Sequence, residues 1–221
     1  MKKTIISLFT ILSLCHAFAQ CEIEDLNKLL CNLGQQDQEV RINLNRAVQQ
    51  GIADSIVHYA EMQALTDLAN QQQLQQICKN RIPDNLSTEA YNAIFLIVDH
   101  ADVKFQKRNF RTLNDLSKRG HIPPSSMATL QDRILMSRNR KQIYGTQTVA
   151  KSIVITGGET KPQMTNYVWP VKAPEKLNLR RAEVGLCTIE EQAQSHALYG
   201  YEMIYDPTLT KHDIRTLTRK E

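Results

Sequence analysis

Apolar residues recur at intervals of three and four through most of the first 137 residues of the chain. This spacing places them on one face of an α-helix and leaves little room for a sheet in that part of the sequence. The first three apolar stripes occupy residues 26–33, 40–48 and 52–68. Gly34 and Gly51 lie between the stripes, and because glycine weakens a helix interior, both are predicted to interrupt the helices.

More helices are predicted beyond these stripes. Segment 70–79 is rich in glutamine but keeps an apolar face, which indicates a surface helix. Residues 81–85 have the composition of a loop, and Ser87 or Thr88 is a suitable N-cap for the helix that follows.

The most apolar run after residue 20 is 93–98. It indicates a central helix, and a buried strand is the alternative for so short a run. Another helix is predicted over 105–116. A further one, capped by Ser125 or Ser126, is expected to end near residue 137.

The character of the sequence changes after Arg140. Residues 143–149 and 152–156 favour strands, and 168–171 is a third candidate. These segments predict a small antiparallel sheet. The fold class that follows is mainly α, a helical bundle with a small antiparallel β-sheet inserted near residues 142–171.

The last part of the chain is predicted to return to helix. A short helix over 175–183 ends at Gly185, and Thr188 caps another with Glu191 in the capping-box position. The charged tail beyond Pro207, about residues 207–221, is expected to be loosely held.

The N-terminus has the pattern of a secretory signal peptide. Lys2 and Lys3 precede an apolar run over 5–14, and small residues at Ala17 and Ala19 predict cleavage after Ala19. Residues 1–19 are therefore predicted to be removed, leaving one mainly helical domain over 20–221. The expected location is the periplasm or the extracellular space. Lipidation is the less favoured alternative, because no small residue precedes either nearby cysteine.

Charge and cysteine content exclude several classes of protein. The net charge of +4 falls to +2 without Lys2 and Lys3, so no nucleic-acid partner is predicted. Four cysteines remain after cleavage, at positions 21, 31, 78 and 187; they permit disulfides in an oxidising compartment but lack the spacing of a zinc site. No cofactor is predicted, and the oligomeric state is left open.

Two polar clusters have the residues of ion pairs. Asp37, Gln38 and Arg41 form the first, and the four-residue spacing of Asp37 and Arg41 suits an ion pair on one helix. A solvated helix face is the alternative. Asp132 and Arg133 form another cluster, and Arg133 could be a buried partner of Asp102 or Asp37 through two hydrogen bonds.

A third cluster follows the most apolar run and contains Asp99, His100, Asp102 and Gln106. Carboxyl groups beside an apolar helix often have shifted pKa values, which acid–base catalysis requires. The alternative is a helix end whose polar groups serve only as caps and pair with an arginine such as Arg133. His100 and Asp102 point to different helix faces, so no metal site is predicted.

The fourth cluster, Gln142, Tyr144, Gly145 and Gln147, lies where the helices give way to the predicted sheet. Its polar residues do not keep the alternation of a strand. Gly145 indicates a close backbone approach or a β-bulge.

These clusters carry a family resemblance. The chain resembles an uncharacterised bacterial family catalogued as domain of unknown function 6624, over about residues 35–195. The resemblance implies a shared fold and a shared site but no activity. Its motifs are D-Q-x-x-R at 37–41, D-x-x-N at 67–70, H-A-D-x-x-F-Q at 100–106, D-R at 132–133, Q-x-Y-G-T-Q at 142–147 and R-x-x-x-G-L at 181–186.

Three functions are compatible with the clusters. In a hydrolase-like site, Asp102 or His100 would be the general base, Arg133 would hold an anionic group, and Tyr144 and Gln147 would orient the substrate. The same groups could bind a polar small molecule or peptide without turnover, or form a structural network. The candidate catalytic residues are His100, Asp102 and Asp132, and the candidate ligand-binding residues are Asp37, Gln38, Arg41, Gln106, Arg133, Gln142, Tyr144 and Gln147.

Overall fold

The computed structural model describes residues 3–77, 82–151, 164–198 and 201–219, with the backbone alone at 3–21, 164 and 201. The predicted fold class is confirmed, since the described chain is mainly helical with one small sheet. Its contacts separate into two compact units, Met1–Ala101 and Asp102–Glu221, which are described in turn as unit 1 and unit 2. A single domain after residue 19 stays a prediction. No helix in the described ranges has an apolar stretch long enough to cross a bilayer.

Unit 1 contains three helices: α1 (Lys3–Gln50), α2 (Ala53–Ile77) and α3 (Thr88–His100). The predicted break at Gly51 is confirmed, because this residue has a φ of 68° and donates its N–H to the carbonyl of Val48. Segment 70–77 is not a separate helix but the last part of α2. The predicted loop before α3 is confirmed over residues 82–85.

The predicted break at Gly34 is wrong, since α1 continues through it. This glycine is required by packing: a Cβ atom built on it would lie only 2.7 Å from the Cβ of Ala93 in α3. The two helices run in the same direction, because the Asn27 side chain bonds the N–H of Ser87 and Asp37 contacts His100. Gly34 therefore fixes the spacing at which α1 and α3 cross.

Replacing Gly34 by alanine is expected to destabilise the protein even though alanine favours helix. The added methyl group must separate α1 from α3, and overpacking of this kind costs about 1–3 kcal/mol, against a helix-propensity gain of about 1 kcal/mol. Urea denaturation should show a net loss for Gly34→Ala, with Asn32→Ala on the exposed face of α1 as the control. An increase in stability would show that the helices separate without cost.

α3 is the central helix of unit 1, as its apolar run predicts. The Ser87 side chain caps it by accepting from the N–H of Ala90, which confirms the predicted cap. The run is helical and not a strand, and most of its side chains are buried, among them Ile94, Ile97 and Val98. α3 ends at His100, the residue through which it contacts the polar group on α1.

Unit 2 begins with two helices and ends in a mixed arrangement of short elements. Its core includes buried Val168, Val171, Leu177 and Ile189. The elements are α4 (Val103–Lys118), α5 (Pro124–Ser137), β1 (Thr148–Ala150), β2 (Met164–Val168), a 3₁₀ turn (Pro174–Lys176), α6 (Leu177–Glu183), α7 (Ile189–Leu198), β3 (Tyr201–Ile204) and α8 (Lys211–Thr218).

The sheet differs from the predicted antiparallel one. β1 and β2 pair antiparallel, with Thr148 opposite Val168, but β2 and β3 pair parallel, with Met164 opposite Tyr201. The third strand is thus β3, in a segment for which no strand was predicted. Of the predicted strand over 168–171, Val168 is the last residue of β2 and Val171 pairs in an isolated bridge to Gln142. The predicted strand over 152–156 lies outside the described residues.

One predicted helix cap in unit 2 is confirmed and another is wrong. The capping box of α7 is confirmed, because Thr188 and Glu191 exchange hydrogen bonds between side chain and backbone. The predicted serine cap of α5 is wrong: the helix starts at Pro124, and no side chain caps it. Proline suits this first position, since its missing N–H would have no partner there.

The segment beyond Pro207 is more ordered than predicted. It forms α8, which opens with a capping box between Thr210 and Asp213 and buries Ile214 completely. The guanidinium of Arg215 lies 5.6 Å from the ring centroid of Trp169. The prediction considered only the charged residues of this segment and overlooked its apolar face, through which Ile214 packs.

Candidate functional site

The polar residues predicted from the sequence fall into two groups, one in each unit. We call the first the Asp37 cluster; it consists of Asp37, Gln38, Arg41, Asp67 and His100 in unit 1. We call the second the loop clamp; it surrounds residues 142–147 in unit 2 and consists of Asp132, Gln142, Arg180 and Arg181.

The carboxylate of Asp37 is the centre of the first group and is fully buried. Its Oδ2 atom lies 2.9 Å from Nδ1 of His100 and accepts from Nε2 of Gln38 at 2.8 Å. Its Oδ1 atom accepts from Arg41 at 3.0 Å. The predicted ion pair between Asp37 and Arg41 is therefore confirmed, but it faces the helix packing and not solvent.

Arg41 connects α1 to α2. One of its terminal nitrogens bonds both the carbonyl and the carboxylate of Asp37, and the other donates to Oδ1 of Asp67 at 2.7 Å. The cation is thus held between two carboxylates. Asp67 was not among the predicted site residues. Its position, on a face of α2 that also presents Asn70 three residues later, was the available signal.

The electrostatics favour an ionised Asp37. Burial alone would raise the pKa of its carboxyl group, but the hydrogen bond and charge of His100, the charge of Arg41 and the amide of Gln38 together lower that pKa below its usual value. A carboxylate that stays charged on Nδ1 holds the imidazole in one orientation and leaves Nε2 as the nitrogen that can exchange protons.

A groove runs along the α1–α3 crossing, and its lining includes Gln38 of the Asp37 cluster. It has a volume of about 350 Å³, and its lining includes the amide side chains of Gln35 and Gln38 from α1 and of Asn92 from α3, together with the carboxylate of Glu89. Leu96 lines it one helical turn before His100, so the histidine lies on the groove-facing side of α3. Gln38 belongs to both the groove and the Asp37 cluster.

Asp102, the other predicted general base, is a helix cap. It is exposed, and its Oδ1 atom accepts from the N–H groups of Lys104 and Phe105 at 2.7 and 3.0 Å. This is the capping role weighed as the alternative for the third cluster. Gln106 is buried on α4 in the turn that follows.

Asp132 is fully buried in unit 2 and binds backbone atoms of the loop that follows α5. Its two oxygens accept from the N–H groups of Ile143, Tyr144 and Thr146 and from the Thr146 hydroxyl, at 2.7 to 3.2 Å. Burial raises the pKa of Asp132, while these hydrogen bonds oppose the shift. Four converging donors suit an ionised carboxylate, because a protonated one would add a donor.

Gln142 closes the same loop at its base. Its amide group donates to the carbonyls of Gln147 and Trp169 and accepts from the N–H of Gln147 at 2.9 Å. Gly145 has a φ of 68°, and this left-handed conformation turns the chain so that the N–H groups on both sides face Asp132. The bulge or close approach predicted from Gly145 is thus a tight turn around a carboxylate.

Two arginines hold the opposite side of the loop, and neither was among the predicted site residues. Arg180 donates to the carbonyl of Ile143, and fully buried Arg181 donates to the carbonyl of Tyr144 at 2.7 Å. The signal for Arg181 was its position, four residues after Leu177 on the buried face of α6. A cation on an apolar stripe usually has a dedicated set of acceptors.

The remaining predicted residues of unit 2 lie at or near this loop. Tyr144 is half-buried, and burial together with Asp132 and Glu183 raises the pKa of its phenol. Gln147 is buried and donates to the Thr146 hydroxyl at 3.2 Å. Arg133, on α5, is half-buried beside Asp132 in the sequence. The predicted partner of Arg133 stays a prediction.

The side chains do not form a metal site within the described ranges, where no three His, Cys, Asp or Glu residues group together. Cys31 and Cys187 are free thiols. The predicted disulfides also involve Cys21 and Cys78, whose side chains lie outside the described residues.

Comparison with known proteins supports the family resemblance. The sequence model described as Family of unknown function (DUF6624) matches residues 24–202, and the chain belongs to this family. No match was found among curated proteins or among solved structures.

Proposed function

We propose that this family member is an exported hydrolase-like enzyme whose acid–base group is His100, oriented by Asp37. The observation that carries the proposal is the buried Asp37 carboxylate, 2.9 Å from Nδ1 of a histidine whose side chain keeps 17% of its surface exposed. A carboxylate on one imidazole nitrogen fixes the tautomer and directs the other nitrogen toward a substrate. Export is supported by the charged and apolar start of the sequence, and cleavage after Ala19 would leave the Asp37 cluster intact.

In the proposed reaction, Nε2 of His100 takes a proton from water while the water oxygen attacks the electrophilic atom of the substrate. The bond to the leaving group then breaks, and the leaving group takes the proton back from Nε2. Asp37 remains ionised throughout and stabilises the transient imidazolium. Arg41 and Gln38 are positioning residues, since they hold the carboxylate of Asp37.

The amide-lined groove is the proposed binding surface for the substrate. Side-chain amides donate and accept hydrogen bonds, so Gln35, Gln38 and Asn92 suit the backbone of a peptide. The carboxylate of Glu89 in the same groove disfavours an anionic ligand. The same groove favours a second candidate function, which is binding of such a ligand without turnover.

The proposal is tested by His100→Asn. The asparagine amide can place an N–H near the position of Nδ1 and so keep the bond to Asp37, but it has no counterpart of Nε2. We expect the purified protein to hydrolyse at least one of four chromogenic substrates: a p-nitrophenyl acetate, phosphate or glucoside, or alanine p-nitroanilide. His100→Asn should lower that rate about 10²–10⁴-fold while leaving the melting temperature nearly unchanged.

His58→Asn is the matched control, because His58 is an exposed histidine on α2. It should keep the wild-type rate. If the wild-type protein turns over none of the four substrates faster than His100→Asn does, the catalytic proposal fails. Binding in the groove would then be the better account of the site.

A further inference from the structure

The solvent face of α4 carries a cluster of positive charge that the small net charge of the chain conceals. Lys104, Lys107, Arg108 and Arg111 are all exposed and follow one another at helical spacing, so they lie on one face of the helix. They extend over about 10 Å. We call these four residues the basic ridge.

Acidic residues flank the ridge in the sequence only at its two ends, at Asp102 and Asp115. Residues 103–114 contain no aspartate or glutamate. Within the part of the chain that the structure describes, none of the four cations forms an ion pair. The opposite face of α4 buries Phe105, Leu113 and Leu116, so packing in unit 2 fixes the direction in which the ridge points.

An apolar groove adjoins the ridge between α4 and α5. It has a volume of about 250 Å³ and is lined by Phe110, Ile134 and Leu135, together with Gln131 and Lys107. Lys107 therefore belongs to both features. A ligand that reaches from the ridge into the groove must combine negative charge with an apolar portion.

We infer that this face of unit 2 binds the surface of a membrane that contains anionic phospholipid. The basic ridge would contact the headgroups, and the groove would accept part of an acyl chain or of the lipid boundary region. A nucleic acid would supply the charge but has no aliphatic portion for the groove. This inference does not depend on the Asp37 cluster, which lies in unit 1.

The test is co-sedimentation of the purified protein with phosphatidylcholine vesicles, with and without 30% phosphatidylglycerol (about one anionic lipid in three). Each basic residue near an anionic surface strengthens partitioning about fivefold. Replacing all four ridge residues by glutamine should therefore weaken binding to the anionic vesicles by about 100-fold or more. Binding should also weaken from 50 to 500 mM salt, because salt screens exposed charges.

A second quadruple variant controls for net charge. It carries Arg138→Gln, Lys141→Gln, Lys172→Gln and Lys176→Gln, which remove the same charge from exposed positions outside α4. This variant should bind almost as well as the wild type.

Three results would overturn the inference. The first is equal loss of binding in both quadruple variants. The second is no preference for anionic over neutral vesicles. The third is stronger binding of a 20-base-pair DNA duplex than of the anionic vesicles, which would identify the ridge as a polyanion site.

Discussion

Asp132→Ala is expected to lower the free energy of unfolding by about 3–5 kcal/mol. The buried carboxylate accepts from three backbone N–H groups and one hydroxyl, all within residues 143–146. Alanine leaves those donors without an acceptor at a position that is fully buried. Because hydrogen bonds to a charged group are worth about 1.5–3 kcal/mol each, the loop cannot keep its conformation at small cost. Chemical denaturation of the purified variant measures the change.

Two further variants show whether charge or shape matters at this position. Asp132→Asn keeps one oxygen but directs an N–H₂ group at donors, so it should lose a large part of the same stability. Asp115→Asn removes an exposed carboxylate from α4 and should change stability by about 0.5 kcal/mol or less. If Asp132→Asn hardly changes the stability, the carboxyl group is protonated in the folded protein and not ionised as its four donors indicate.

Arg181→Met is expected to have an effect of similar size, about 3–5 kcal/mol. The guanidinium is fully buried and donates to the carbonyls of Cys187 and Tyr144 and to the side-chain oxygen of Gln192. Methionine has a similar length but offers no donor, so three acceptors would lose their partner at once. Thermal or chemical denaturation is again the measurement.

Arg180→Met is the matched control, because Arg180 also donates to three oxygens. They are the carbonyls of Ile143, Lys172 and Ala173. This side chain is only half-buried, so water can replace it, and we expect a cost of about 1 kcal/mol. Equal losses in the two variants would show that burial does not distinguish the arginines.

Local patterns in the sequence were enough to predict much of the fold. Apolar spacing located α3, and capping residues located its start at Ser87 and the start of α7 at Thr188. Gly34 was misjudged because its role lies in the contact with Ala93, which is 59 positions away and invisible to local propensity. The sheet was mispredicted for the same reason, since β3 pairs in parallel with a distant strand.

The candidate site shows the same limit. Residue types and spacing identified Asp37, Arg41 and His100, but not that Asp37 contacts His100 across 63 positions of sequence. They identified Asp132 and Gln142 as unusual, but not that their partners are backbone atoms. Two of the three acceptors of Arg181 are likewise main-chain carbonyls, and a carbonyl leaves no trace in the identity of its residue.

The loop over 142–147 also bears on how unit 2 opens. Surface loops usually open locally at low free energy, ahead of the rest of a domain. Here Asp132 of α5 accepts hydrogen bonds from N–H groups of the loop, and Arg181 of α6 donates to one of its carbonyls. The side chain of Gln142, at one end of the loop, bonds the backbone of Gln147 at the other end. Opening the loop therefore requires α5 and α6 to release it together, so we expect its amide protons to exchange with solvent as slowly as those of the two helices.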